Sequence, residues 1–316
     1  MKIVVLDGYV ANPGDLSWEP LASLGELEVF DRTSPDRIVE RAKNADAIFV
    51  NKVVIDREIL GSLPRLGFIG VMATGYNNID VEAARRSGVT VCNVPAYSTE
   101  SVVQTVFALL LEITNRVGEY SSKVVEGEWE TCRDFSFTLG PITELCGQTI
   151  GIYGLGNIGK RVAQIANAFG MKVVSPTSQP SDSLPDYINK VDFDEFLRQS
   201  DIISINSPLS ERNFHIFNKD NLSKTRKGVI IINTARGALV DENALAQALR
   251  SGHVKGAGVD VLEKEPPRDG SPLIGAPNCY TTPHVAWQST TARRRLIEIC
   301  RKNLESYISG NPINVV

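Results

Sequence analysis

The sequence predicts an α/β protein with two parallel-sheet domains, and three observations predict it. Short apolar runs alternate with helical patterns along nearly the whole chain, as the strands and crossover helices of parallel sheets do. Near the middle, the glycine turn Gly154-Leu155-Gly156-Asn157-Ile158-Gly159 follows the apolar run Thr149–Tyr153 and opens a second such alternation. At 316 residues the chain is long enough for about two domains.

In the first alternation the strand candidates are Ile3–Leu6, Leu27–Phe30, Ala47–Val50, Phe68–Val71 and Val89–Cys92. The helix candidates are Leu16–Leu24, Pro35–Asn44 and Val81–Ser87, the last closed by Gly88. Ligands of such sheets lie outside the carboxyl ends of the strands, where Asn51-Lys52-Val53 and Ala73-Thr74-Gly75 fall. The stretch Thr99–Ile113 is apolar nearly all round, which predicts a helix buried on every side, crossing between domains or forming a subunit interface. From Glu126 to Leu145 no period is visible, so a loop is expected, carrying Trp129, Phe135 and Phe137 towards a partner surface.

The second alternation has strand candidates at Thr149–Tyr153, Lys172–Ser175, Asp201–Asn206, Val229–Asn233, Ala257–Val261 and Tyr280–Thr282. After the glycine turn, Ile158, Val162, Ile165 and Phe169 are spaced to share one helix face. A helix from about Asp241 to Ser251 has a capping acid and a closing Gly252. An amphipathic helix, about Thr291–Ile308, is expected to return to the first domain and make it discontinuous. The predicted fold is therefore two Rossmann-like or flavodoxin-like domains: residues 1–98 plus 288–316 binding substrate, and 99–287 binding a dinucleotide. The active site is expected in the cleft between them.

Composition narrows the function. Apolar residues make up 42% and charged residues 22%, with a net charge of −4, as in a globular protein without a nucleic-acid surface. No window reaches the length of a membrane span, and the N-terminal apolar run is too short for a signal peptide. The five cysteines are scattered without metal-ligand spacing, which predicts reduced thiols, a cytoplasmic setting and no metal site.

The glycine turn carries the first chemistry. Strand, glycine turn and helix are the context in which this motif binds a dinucleotide. Gly154 permits the tight turn, Gly156 lets a pyrophosphate approach the backbone, and Gly159 lets helix and strand pack closely. The helix N-terminus then faces the phosphates. Three later segments each place a functional group beyond a strand end. Arg236, in Asn233–Gly237, offers a planar fork for a carboxylate. Glu265, in Gly258–Pro266, is an anion that could hold an imidazole in position. His284, in Thr282–Trp287, offers a proton. Together they describe reduction of a 2-oxo acid: Arg236 fixes the carboxylate and His284, paired with Glu265, gives a proton to the forming alkoxide. Taken singly, Arg236 also fits an ion pair, Glu265 a surface acid and His284 a loop histidine.

In order and spacing, Gly154–Gly159, Asn206–Leu209, Asn233–Gly237, Gly258–Pro266, Pro283-His284 and the ending Gly310–Val316 resemble the D-isomer-specific 2-hydroxyacid dehydrogenases over nearly the whole chain. The resemblance implies Arg236, Glu265 and His284 as catalytic residues. It implies NAD or NADP contacts at Gly154, Leu155, Gly156, Asn157, Ile158, Gly159, Thr177, Ser207, Pro208, Thr234, Ala235, Arg236, Asp260 and His284, with Thr105 a further one. Backbone amides at Val53, Thr74 and Gly75 would complete the carboxylate pocket with Arg236 and His284. A homodimer is implied, with the helix after Thr99 in its interface. Within the family, Asn77–Asp80, Pro95–Ser101 and His284–Trp287 are similar to glycerate dehydrogenases, also called hydroxypyruvate reductases. The implied pairs are hydroxypyruvate with D-glycerate and glyoxylate with glycolate. Other oxo acids, phosphoglycerate and phosphite remain open, whereas Glu265 argues against formate dehydrogenases, which carry Gln there. A dinucleotide-sensing corepressor on the same fold is the reading from another class.

One position departs from the pattern. An acid roughly 20 residues past the glycines would bond the ribose 2′-hydroxyl of NAD; this chain has Thr177, and no Arg or Lys lies between Lys172 and Lys190 to favour NADP. Dual or weakly selective cofactor use is expected. Plain readings suffice elsewhere: His215 and His253 as surface histidines, Arg293-Arg294-Arg295 as a solvated helix face or intersubunit ion pairs, and Asp7-Gly8 as a turn after a strand.

Overall fold

A computed structural model describes all 316 residues. The chain divides into two compact units, Met1–Ser98 with Trp287–Val316, and Thr99–Ala286. Trp287, expected at the end of the second domain, belongs to the first, where its ring meets Tyr97 edge-on at 6.2 Å.

The first unit contains β1 (Lys2–Val5), α1 (Glu19–Ala22), β2 (Glu26–Val29), α2 (Ile38–Ala42), β3 (Ala47–Val50), α3 (Arg57–Gly61), β4 (Phe68–Val71), α4 (Val81–Arg86) and β5 (Thr90–Cys92). Its sheet is parallel throughout, in the order β2-β1-β3-β4-β5. β3 and β4 are buried along their whole length, so they read as unbroken apolar runs. The helices are shorter than the apolar spacing predicts. Pro20 and Pro35 fix where α1 and the turn before α2 can begin, since each can only occupy a first helical turn. The short α3 starts at Asp56, whose side chain accepts from the Ile59 amide at 2.9 Å.

The second unit begins with α5 (Thr99–Asn115) and α6 (Val117–Val125), then β6 (Thr149–Tyr153), α7 (Asn157–Ala168), β7 (Lys172–Ser175), β8 (Ile188–Lys190), α8 (Phe193–Gln199), β9 (Ile202–Ile205), α9 (Lys219–Ser223), β10 (Val229–Asn233), α10 (Glu242–Arg250), β11 (Val254–Val259) and β12 (Cys279–Thr281). The order β12-β11-β10-β9-β6-β7-β8 is parallel throughout. The winding reverses between β6 and β9, and a ligand crevice belongs at such a switch point. Asp241 caps α10 through the Ala244 amide at 3.0 Å, and Gly252 closes it at φ +71°. The last helix, α11 (Thr290–Ile308), packs in the first unit through Ala292, Leu296, Cys300 and Leu304.

α5 departs from the expectation that it is buried on every side. Its inner face lies on β11 so closely that a Cβ at Gly256 would meet Ile113 at 2.6 Å and one at Gly258 would meet Leu109 at 2.7 Å. Glu100, Gln104, Ala108 and Asn115, on the opposite side, are exposed. Phe169 follows the last residue of α7 and stacks on Phe107 at 5.5 Å, in the cluster that Ile158, Val162 and Ile165 also join. The segment 126–145 has no helix or strand; Trp129 and Phe135 are exposed there, while Phe137 is half-buried against Tyr120.

Candidate active site

The glycine turn separates three roles by geometry. Gly154 adopts φ +95°, and a Cβ on it would lie 2.5 Å from the Ser207 amide nitrogen. A Cβ on Gly159 would lie 2.0 Å from the Gly154 carbonyl oxygen, so this glycine lets α7 rest on β6. Around Gly156 a Cβ would meet nothing within 4 Å. The middle glycine is therefore not required by the protein's own packing, and the space beside it is what a pyrophosphate needs. α3, α4, α8, α9, α10 and α11 each begin with an Asp, Asn or Ser side chain that accepts an amide of the first turn. α7 begins at Gly156 with no such cap, and no acid lies in its first turn. Its leading N–H groups face outward with no side-chain acceptor, the electrostatic condition for a bound phosphate. Asn206, beside Ser207, buries an Oδ1 that has no partner. These residues fit a dinucleotide.

Arg236, Glu265 and His284 sit on three neighbouring loops beyond β10, β11 and β12. β10 and β11 pair in register at Asn233 and Val259, and the Asp260 amide donates to the Asn233 carbonyl at 2.9 Å. The His284 amide donates in turn to the Asp260 carbonyl at 2.8 Å. Gly237 completes the stack: a Cβ there would fall 2.0 Å from the Leu262 carbonyl carbon, so only glycine lets the arginine loop lie on the loop that carries Glu265. His284 Nδ1 lies 2.6 Å from Glu265 Oε2, and Glu265 Oε1 accepts from the Leu262 amide at 2.9 Å. The histidine holds φ +55°, a left-handed conformation uncommon outside glycine. What holds it there is Asp260. Its carboxylate is 1% exposed and accepts from Thr282 Oγ1 at 2.6 Å, Val285 N at 2.9 Å and Ala286 N at 2.9 Å. Arg236 is exposed, has no carboxylate within ion-pair distance, and donates from Nη1 only to its neighbour's carbonyl, that of Ala235, at 2.7 Å. The plain reading of a structural ion pair for Arg236 therefore does not hold, and Glu265, although exposed, is engaged by His284 and the Leu262 amide.

The model of the D-isomer specific 2-hydroxyacid dehydrogenase, NAD binding domain, matches residues 107–286. A hydroxypyruvate reductase of Blautia hydrogenotrophica is 45% identical over 100% of this chain and 99% of its own length. The chain belongs to the D-isomer-specific 2-hydroxyacid dehydrogenase family. A glycerate dehydrogenase of Methylorubrum extorquens is 39% identical over 92% of both chains. Among solved structures, an acyclic imino acid reductase in complex with NADPH and D-Arg matches with a TM-score of 0.86, at 32% identity over 100% of both chains. The protein is thus an oxidoreductase of the nicotinamide-dependent 2-hydroxyacid type, and the glycine turn lies within its NAD-binding domain.

Several of the implied site residues have partners within the protein. Asp260, implied as a cofactor contact, turns its carboxylate into the protein as the anchor of the histidine loop. Thr105 Oγ1 donates to the Ser101 carbonyl of its own helix at 3.2 Å. Thr234 and Ala235 are half-buried beside Arg236, with the Ala235 amide bound to Asn233 Oδ1 at 3.0 Å. In the first unit, Asp7 is more than a turn residue. Its carboxylate accepts the amides of Asn51 (2.7 Å), Lys52 (2.6 Å) and Val53 (3.0 Å). Burial pushes this carboxyl above the usual range even though the three amides and Lys52 favour its charged form. The Val53 amide, expected to receive a substrate carboxylate, is therefore already engaged. The amides of Thr74 and Gly75 have no acceptor, while Thr74 Oγ1 donates to the Val94 carbonyl at 2.9 Å.

The remaining plain readings are corrected in detail. His215 pairs with Glu263 at 3.1 Å, and His253 lies 2.9 Å from the Leu222 carbonyl and 3.1 Å from Thr225 Oγ1. Arg293 is buried rather than solvated and grips Asp15 through both nitrogens of its fork, at 2.7 and 2.6 Å. Sequence reasoning missed Asn213, which holds the loop after β9. Its Nδ2 donates to the Pro208 carbonyl at 2.8 Å and its Oδ1 accepts the Ser210 amide at 2.7 Å. No group of three or more His, Cys, Asp or Glu side chains is gathered as for a metal ion. No helix is long and apolar enough to cross a membrane.

Proposed function

We propose that this chain interconverts hydroxypyruvate and D-glycerate, with glyoxylate and glycolate as a smaller pair. The relatives named for those activities support the substrate class. The observation that carries the reading is a guanidinium with no carboxylate of its own, on the loop that lies against the one whose Glu265 holds His284. In this reading Arg236 binds the substrate carboxylate through its planar fork. Bound nicotinamide supplies a hydride to the carbonyl carbon. Glu265 takes the Nδ1 side of the His284 ring, which leaves Nε2 to give its proton to the carbonyl oxygen and to take it back in the oxidation direction. Asp260 acts through His284, as a positioning residue. Gly154, Gly156, Asn157, Ile158, Ser207 and Pro208 hold the dinucleotide.

We also propose a homodimer. Val117, Val124, Val125, Trp129, Phe135 and Ile142 are all exposed within the one stretch that follows α5 in sequence, and a second copy is the partner that would cover them. The five free cysteines fit a reducing, cytoplasmic setting.

The test is consumption of reduced nicotinamide with a panel of 2-oxo acids. Hydroxypyruvate should turn over within the usual enzyme range, and His284→Ala should lower kcat by roughly 10²–10⁴-fold with cofactor binding retained. Turnover below about 0.01 s⁻¹ on every acid would favour the dinucleotide-sensing alternative.

A further inference from the structure

The ribose end of the cofactor site holds an arrangement that the linear sequence conceals. Thr177 stands where a ribose-binding acid would, and the loop 176–180 is folded by its own side chains. The Gln179 amide donates to Thr177 Oγ1 at 3.2 Å, and Gln179 Nε2 donates to the Leu155 carbonyl at 2.8 Å, which ties this loop to the glycine turn. No cation lies near it in sequence, but strand pairing supplies one. β8 runs parallel to β7 with Lys190 opposite Ser175, so both strands end side by side at the mouth of the loop. The Lys190 ammonium donates to the Gln179 carbonyl at 2.8 Å. No carboxylate lies within ion-pair distance of it, and the residue is exposed. Such a group has further N–H donors to offer and an uncompensated charge.

We propose that Lys190 makes the site selective for the 2′-phosphorylated dinucleotide, NADPH, by pairing with its 2′-phosphate beside the Thr177 and Ser178 hydroxyls. A bare ribose 2′-hydroxyl finds no carboxylate here to accept its proton, whereas a phosphate dianion finds an ammonium and neutral donors. The assignment rests on the dinucleotide reading of the glycine turn and is independent of which oxo acid is reduced.

The test measures binding, without turnover. Wild-type protein is titrated with NADPH and NADH by fluorescence, and with 2′,5′-ADP and 5′-AMP by calorimetry. The 2′-phosphorylated ligand of each pair should bind at least about tenfold tighter, the scale of one charge-assisted contact, and its advantage should shrink as salt is raised. Lys190→Met should weaken NADPH and 2′,5′-ADP by about tenfold or more while NADH and 5′-AMP change by less than about twofold; Lys190→Arg should keep the preference. Equal affinities in the wild type, or a Lys190→Met protein with unchanged preference, overturn the assignment while leaving the dinucleotide site intact. Failure of all four ligands to bind overturns the dinucleotide reading itself, and the assignment with it.

Discussion

At the scale of single residues, the glycine turn divides into positions the protein needs and one that its ligand needs. Adding a methyl group tests the division. Gly159→Ala puts a Cβ 2.0 Å from a carbonyl oxygen of the turn. Backbone must shift, and a loss of about 1–3 kcal/mol of stability, read by denaturant unfolding, is expected. Gly156→Ala adds the same methyl group to open space at an ordinary φ of −84°. Its stability should stay within about 0.5 kcal/mol of wild type, while dinucleotide affinity falls about tenfold or more. A Gly156→Ala protein that binds cofactor normally would show that the phosphates do not approach this face. Arg236 and Lys190 share a related property: each is a cation without a carboxylate partner. Both stand at places where anionic ligands are expected.

At the scale of elements, the geometry around Arg236, Glu265 and His284 belongs to three loops stacked beyond β10, β11 and β12, not to any one side chain. Asp260 is their common peg. Asp260→Ala strands three donors, two of them backbone amides, and should cost about 2–4 kcal/mol. It should also lower kcat far more than KM, because it releases His284 without touching Arg236. Asp260→Asn, which keeps an acceptor oxygen, should recover part of both losses; an equal change in kcat and KM would mean that Asp260 acts on binding instead. Much of this was legible in the sequence, because each loop follows a strong apolar strand and carries its functional residue at a short, fixed offset. What was hidden has physical reasons. β8 is three residues long, too short for a period to register, so the sequence does not bring Lys190 to Thr177. Asp7 finds its partners 44 to 46 residues away, a distance no local pattern reports. Arg293 could have been found. It is spaced with Leu296, Ile297 and Cys300 on the buried face of α11, and a charge on such a face implies a partner.

At the scale of the whole molecule, the exposed apolar side chains are not scattered. Phe135 is 91% and Val125 86% exposed, and both fall in the stretch that follows α5, whose outer side is itself open. Single exposed apolar residues need no explanation, but a run of large ones in one segment is the surface on which the proposed homodimer rests. The small and polar residues on the open side of α5 also explain why the helix reads as buried all round: Ala108 is neutral to burial, and Gln104 can be paired across an interface as readily as solvated. A dimer built this way should be stable at micromolar concentration in sedimentation velocity. Burying a phenylalanine contributes about 1.5–3 kcal/mol, so Phe135→Glu, which adds a charge where that ring would be covered, should weaken the dimer by about 10²-fold or more. The variant should remain folded, because Phe135 is nearly free of the monomer's own packing, and its thermal unfolding should then depend less on protein concentration than that of the wild type. A wild-type protein that sediments as a monomer at tens of micromolar (roughly the scale of a 6–7 kcal/mol association) would refute the assembly, and a Phe135→Glu protein that dimerises normally would place its interface elsewhere.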